Sequence, residues 1–304
     1  MVRKKRAERG FALIITLLIT AVIVGLVVEV IYRVYLSSTR VENFTNSQRA
    51  SILARAGIDL TQAGLEALMK VEPHKTMDEG GWSFSNREED SVVTISVFDE
   101  LGRVSTRVVY PNTGAQNDKV HATYSRLLDI LEQDDSLTET LADWIDGDDE
   151  PRPGGGEGID YYQHLPHPYV PKNNYLATGE ELLMVKGYTP AIFETIAPFI
   201  TTYSDTGLIN INTAGREVIM ALSEEITEDL AQEVIDFRND TPFKDKSDIM
   251  QVPGFETIGF TLQDRVAVDS TIFRVFSVAQ TADAVREVEA VIQVGGGVLY
   301  WRER

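Results

Sequence analysis

The chain contains no cysteine, which excludes disulfides and thiolate metal sites at once. Its four histidines, His74, His121, His164 and His167, are too scattered for a zinc site, and the close pair His164 and His167 lies among prolines in a loop. Basic residues are scarce: 28 Lys and Arg stand against 47 Asp and Glu, a net charge of −19. A surface that negative repels phosphate backbones and favours cations, basic partners and solubility. Proline is missing until Pro73, so nothing interrupts a helix over the first seventy residues. Catalytic fingerprints are missing too: there is no nucleophile elbow, P-loop, dinucleotide-binding glycine motif or His/carboxylate set at catalytic spacing. The acidic pair Asp143 and Asp146 is the nearest approach to acid–base machinery, and no enzyme is expected. An apolar fraction of 43% and a charged fraction of 25% are those of a folded globular chain, with length for one to three domains.

What is present begins at the N-terminus. Residues 3 to 9 read Arg-Lys-Lys-Arg-Ala-Glu-Arg, then Gly10, and from Phe11 to Val28 no charge occurs. Eighteen helical residues span about 27 Å, close to the hydrocarbon thickness of a bilayer. The cationic flank keeps the residues before Gly10 on the cytoplasmic side and sends everything after Val28 outward. A buried core helix would not be apolar on every face with a basic cluster before it. A cleaved secretory signal needs small residues after the apolar run, and Val27-Val28-Glu29 fits poorly. Arg9-Gly10-Phe11 resembles the type IV prepilin signal, in which a membrane peptidase cuts after the glycine and methylates the new terminus. That resemblance makes Gly10 and Phe11 the processing site. Most pilins carry a glutamate five residues into the mature chain, where its carboxylate meets the ammonium terminus of a neighbour; here the position is Ile15. A subunit without that carboxylate suits the first position of a filament.

The helix is expected to run on to residue 72. Val30, Val34, Val41, Phe44, Ile58, Leu65 and Leu68 recur with charges between them, and Glu29 and Arg33 are spaced to pair just outside the bilayer. Residues 73 to 90 read as a loop around Gly80-Gly81. Val92 to Val97 and Val104 to Tyr110 read as two strands joined by the turn Asp99-Glu100-Leu101-Gly102. A further pair of strands is expected at Ile272–Ala279 and Val285–Val294, followed by a last apolar run, Val298–Trp301. Between 118 and 268 the period turns helical, with candidate helices at Ala122–Leu131, Ser136–Ile145, Gly179–Lys186, Pro190–Ala197, Ala214–Leu222, Glu228–Asn239 and Ser247–Gln251. The reading is an α+β chain: leader 1–10, long N-terminal helix 11–72 crossing the membrane over 11–31, first sheet portion 73–117, inserted α-helical domain 118–268, and closing strands 269–304 of a small antiparallel sheet.

Leu141-Ala142-Asp143-Trp144-Ile145-Asp146-Gly147-Asp148, Glu157, Tyr161-Tyr162, Pro168-Tyr169, Lys172-Asn173, Glu181-Leu182 and Ile209-Asn210-Ile211-Asn212-Thr213-Ala214 occur in an order that resembles the GspK family. These are the large K-type minor pseudopilins of type II secretion, and the resemblance runs from Arg9 to the C-terminus. It implies a pilin domain with an inserted α-domain and a tip position beside I-type and J-type minor pseudopilins. It also implies processing by the prepilin peptidase, a single pass through the inner membrane, and a periplasmic head able to meet the secretin or exported cargo. A type IV pilus minor pilin would share the same physical pattern.

Asp143, Asp146, Asp148, Asp149, Glu150, Glu157 and Asp160 crowd one short Gly-rich stretch with only Arg152 as counterweight. Packed carboxylates raise one another's pKa or recruit a cation, and hard oxygen ligands on a flexible loop suit calcium. Asp146, Asp148, Glu150 and Glu157 fall at EF-hand spacing, but Pro151 stands where that loop needs glycine. A solvated acidic loop is the plainer alternative. The family resemblance favours calcium, with Asp146, Asp148, Glu157 and Asp160 as the preferred ligands and Asp143 and Asn173 as secondary ones.

Residues 205 to 262 carry a rival reading. Ile209 to Ala214, Ala231 to Arg238, Pro242-Phe243-Lys244 and Val252-Pro253-Gly254-Phe255 look like a helix-hairpin-helix domain of the competence type, which grips phosphates with glycine-rich hairpins. The first hairpin instead reads Ser223-Glu224-Glu225, whose carboxylates repel phosphate. The segment is therefore expected to pack helices and to bind no nucleic acid.

Overall fold

The structure, a computed structural model, describes residues 2–78, 81–148, 150–153 and 159–304, with side chains from residue 11 onward. Helix α1 runs unbroken over Val2–Val71, about 105 Å at 1.5 Å per residue. Its apolar part is exposed: the most apolar eighteen-residue window has a mean hydropathy of 3.0 and none of it is buried. The second half seats on a sheet through Ala50, Ala54, Ile58 and Leu65, spaced to share one helix face.

That sheet has five antiparallel strands in the order β1-β2-β7-β8-β9. The first two are β1 (Trp82–Glu88) and β2 (Ser91–Asp99), joined at the two-residue turn Glu89-Asp90, where Glu89 takes a positive φ of 47°. The chain then leaves the sheet. It forms β3 (Val104–Ser105), α2 (Asp118–Ile130), α3 (Leu137–Ile145), α4 (Ile159–Gln163), a 3-10 turn at Gly179–Met184, and α5 (Pro190–Ile196). Next come β4 (Ile200–Thr201), β5 (Ile209–Asn210), α6 (Arg216–Ala221), α7 (Glu228–Asp240), a 3-10 turn at Lys246–Gln251, α8 (Ile258–Leu262) and β6 (Val266–Ala267). It re-enters at β7 (Ile272–Thr281) and finishes with β8 (Ala284–Gln293) and β9 (Gly297–Glu303). Because β2 and β7 are direct neighbours, with Asp99 opposite Phe273, everything between them is an insertion into a continuous sheet.

Several expectations need correction. Val104 to Tyr110 does not return along β2 as a hairpin; β3 pairs in parallel with β4 inside the insertion. Val104, Val108 and Val109 are all buried in the helical lobe's core, and two adjacent buried valines break the alternation a half-exposed strand requires. The inserted lobe therefore begins at the end of β2, not at residue 118. Residues 82–88, read as loop, form edge strand β1, in which Trp82 stacks toward Phe273 while the remaining residues face water. The expected helices at Gly179–Lys186 and Ser247–Gln251 are tighter 3-10 turns, the second closed by a reciprocal cap between Asp245 and Asp248.

Candidate functional site

Three places carry functional groups. The first is the N-terminal stretch of α1. Gly10 and Phe11 lie within this continuous helix, Phe11 is exposed, and Ile15 is the most covered of the large apolar side chains from Phe11 to Val28, at 40% exposure. Beyond the apolar run, Glu29 pairs with Arg33 at 2.5 Å, as the spacing anticipated.

The second is the acidic loop after α3. Asp143 sits in the last turn of α3 and Asp146 follows the helix as its cap. Trp144, between them, packs edge-on against Tyr162 of α4, and Tyr162 against Tyr169. This aromatic cluster holds the loop's two ends together, and both carboxylates are buried beside it. Arg152 spans them. Its backbone N–H donates to Asp143 Oδ2 at 3.0 Å, its Nε donates to Asp146 Oδ2 at 3.1 Å, and its Nη2 donates to the carbonyl of Gly114 at 2.5 Å. Asp148 lies against the same glycine: a Cβ on Gly114 would meet Asp148 Oδ2 at 3.3 Å. Burial pushes the Asp143 carboxyl up to about 6, the Arg152 N–H opposing and the Asp146 charge reinforcing the rise. Burial raises Asp146 as well, with the charge of Asp148 adding to it. Oδ1 of Asp146 is buried with no hydrogen-bond partner.

Asp143 and Asp146 thus meet at Arg152, with Asp148 beside Gly114. Asp160 is exposed in the first turn of α4, where its carbonyl accepts from His164. Asn173 lies in the left-handed region at φ 51° and donates its N–H to the carbonyl of Trp144. Glu157 lies outside the described residues. Among the described residues no group of three or more carboxylates or histidines converges closely enough to ligate a metal. The orphaned Asp146 oxygen and two buried carboxylates sharing one guanidinium fit a site that wants more positive charge than Arg152 supplies. Asp146, Asp148 and the Gly114 carbonyl are the oxygens suited to a hard cation.

The third place was not foreseen. Asp99 and Glu100, taken from the sequence as a hairpin turn, are buried at the junction of sheet and helical lobe. Burial raises Asp99, opposed by hydrogen bonds from Ser270, Thr213 and Asn210. An acidic turn looks the same in sequence whether its carboxylates face water or the interior, so only the pairing of β2 with β7 reveals them.

In the helical lobe, the segment read as a hairpin module packs through buried Arg238, whose Nη1 donates to the carbonyls of Ile211 and Ala214. Asn212 ties Phe243 to Val268 from a fully buried position.

An anchoring helix laid on an antiparallel sheet, with a helical lobe inserted between neighbouring strands, is the architecture of a pilin-like subunit. Models of the family described as Type II secretion system (T2SS), protein K match residues 104–205 and 209–269, together just over half of the chain. The chain belongs to this family, the GspK-type minor pseudopilins. It is 24% identical to the type II secretion system protein K of Aeromonas hydrophila over 95% of this chain and 94% of that one. It is 26% identical to that of Pseudomonas aeruginosa over 80% of this chain and 76% of the relative. Among solved structures it is similar to a chain of the GspK-GspI-GspJ complex from enterotoxigenic Escherichia coli, with a TM-score of 0.73 at 18% identity, over 87% of this chain and 99% of that one. That likeness establishes the fold.

Proposed function

We propose that this subunit sits at the tip of a type II secretion pseudopilus, joined there to I-type and J-type minor pseudopilins, and that it caps and helps to initiate the filament. The observation that carries the reading is the combination of an exposed apolar helix, continuous with a sheet-bound one, and a bulky lobe inserted between β2 and β7. The partnership is inferred from the complex in which the structural relative was solved. Phe11–Val28 holds the subunit in the inner membrane until assembly, then exchanges lipid for neighbouring helices. Ile15 offers no carboxylate to a preceding subunit's ammonium terminus, so growth starts from this chain and does not extend beyond it. The head lies in the periplasm, within reach of the secretin and cargo. Its role is mechanical and organisational; no catalysis is assigned to it.

Maturation belongs to the same reading: a prepilin peptidase cuts between Gly10 and Phe11, and Phe11 is then methylated. Calcium is assigned to the acidic loop, held by Asp146 and Asp148 with Glu157, Asp160 and Asp143 in support; when bound it neutralises the loop's carboxylates and tethers α3 to the following segment. The intact mass of protein extracted from membranes after co-expression with a prepilin peptidase tests the processing. A chain beginning at methylated Phe11 is expected, and an uncut Met1 terminus would overturn this part of the account.

A further inference from the structure

The head has two apolar cores. One lies under α1 and is built from Ala54, Ile58, Phe273, Val275, Val288 and neighbours on the sheet. The other lies wholly within the insertion. The junction between them is polar, centred on Asp99, the last residue of β2, and Glu100, the residue that follows the strand. Asp99 and Glu100 hold different partners. Asp99 Oδ1 accepts from Ser270 Oγ at 2.5 Å and from the Leu101 N–H at 2.7 Å. Its Oδ2 accepts from Thr213 Oγ1 at 2.6 Å and Asn210 Nδ2 at 2.8 Å. Glu100, completely buried, accepts from Thr201 Oγ1 at 2.5 Å, from Arg274 Nε at 2.6 Å and from Arg103 Nη1 at 3.3 Å. Arg274 reaches on to Glu289 of β8.

The donors come from both bodies. Arg274 belongs to the sheet and Ser270 to the strand of chain returning to it. Thr201, Asn210 and Thr213 belong to the helical lobe. Beside this joint the bodies stand apart, leaving one cleft of about 320 Å³ and another of about 260 Å³, both bordered by Phe98 and Arg103. Lighter ties flank it: the Met77 N–H to the Asn212 carbonyl at 3.3 Å, the His74 ring to the Val268 carbonyl at 3.2 Å, and an exposed Arg302–Glu180 pair.

We infer that Asp99 and Glu100 form a latch that fixes the helical lobe in one orientation on the pilin sheet, and that without it the lobe swings about the two crossings at 99–103 and 268–272. Junctions with little shared apolar area ordinarily permit relative motion. A buried carboxylate cannot surrender its donors one at a time without a large desolvation cost. Seven donors converge on these two side chains, so any rotation of the lobe breaks several bonds at once, and the latch is closed or open with little between. A closed latch lets load on the inserted lobe pass directly to β2, β7 and the helix beneath them.

The absence of cysteine makes the test direct. Arg87→Cys on β1 and Glu225→Cys in the helical lobe, both at exposed positions, take spin labels in the detergent-solubilised full chain, and pulsed electron–electron double resonance reads the distance between them. The labelled parent should give one narrow distribution. Glu100→Ala, and the milder pair Thr201→Val with Ser270→Ala, should widen it at least about twofold while circular dichroism keeps its helical signal. A parent distribution that is already broad would overturn the latch. So would variants that stay as narrow as the parent, or that lose the helical signal and not merely the orientation.

Discussion

The seat of α1 on the sheet can be tested at one glycine. Gly57 is buried against β7, and a Cβ placed there would meet Ser277 Oγ at 2.2 Å, Ser277 Cβ at 3.2 Å and Ile95 Cδ1 at 3.4 Å. Ser277 is itself fully buried, and its hydroxyl has no hydrogen-bond partner. Gly57→Ala sets two effects against each other. Alanine is favoured over glycine inside a helix by about 1 kcal/mol, while overpacking a close contact costs about 1–3 kcal/mol. With so close an approach the second effect wins, and a net loss of up to about 2 kcal/mol is expected. Ser277→Ala removes the offending oxygen and also a buried unsatisfied hydroxyl, so alone it should gain up to about 1 kcal/mol. In that background Gly57→Ala retains the 3.2 Å contact with the Cβ of residue 277 and the 3.4 Å contact with Ile95 Cδ1, and should be nearly neutral. Thermal unfolding of the purified full chain reads the four proteins, each kcal/mol moving Tm by about 2–4 °C in a head of this size. The expected order places Ser277→Ala and the double variant together above the parent, and Gly57→Ala lowest. A Gly57→Ala protein more stable than the parent would refute the reasoning, because helix propensity would then act with no sheet opposing it.

The remaining predictions are briefer. Replacing Asp146 and Asp148 together with Ala should lower Tm further in calcium than in chelator, where protein contacts such as that with Arg152 are all that is lost; an equal loss in both conditions would count against the cation. Glu303 accepts from Ser51 and Arg55 of α1, which hold its carboxyl below the ordinary value of 4.5. Its stabilisation is therefore present above that value and lost as pH falls through the lowered one, a contribution under about 1 kcal/mol after solvent screening. Glu303→Gln should lack this acid-dependent component in a series of melts from neutral pH downward. Replacing residues 100–271 with a short glycine turn should leave a folded sheet, since Glu100 N–H already bonds the carbonyl of Ile272, yet abolish secretion; normal secretion by that deletion would remove any role for the lobe.

Parts of this architecture were legible for simple reasons. The apolar N-terminal helix announces itself by eighteen uncharged residues behind a basic cluster, and β7 by an alternation of buried and half-buried residues along a strand seated under α1. Helices α2, α3, α5, α6 and α7 of the insertion follow from their apolar period, with ends displaced by up to four residues, whereas α4 and α8, five residues each, are too short to show a period. Strand β1 was hidden because an edge strand with six water-facing residues carries the composition of a loop. Val104 to Tyr110 misled for the opposite reason: its valines look like a strand but serve the core of another lobe. In the acidic loop the crowding of Asp143, Asp146 and Asp148 was visible, whereas the part of Gly114, thirty or so residues earlier in the chain, depends on a backbone carbonyl that no side chain signals. Asp99 and Glu100 were read as turn formers, and the Leu101 N–H to Asp99 bond shows that half of that reading stands. Their burial depends on donors from residues 201 to 274, which local pattern does not connect.

The central claim concerns assembly, and co-expression of this chain with the I-type and J-type pseudopilins of the same secretion system tests it most directly. Light scattering on the size-exclusion eluate should find the three chains in one complex that includes this one, and the complex should survive dilution. Elution of this chain alone, with the other two paired or separate, would contradict its place at the tip.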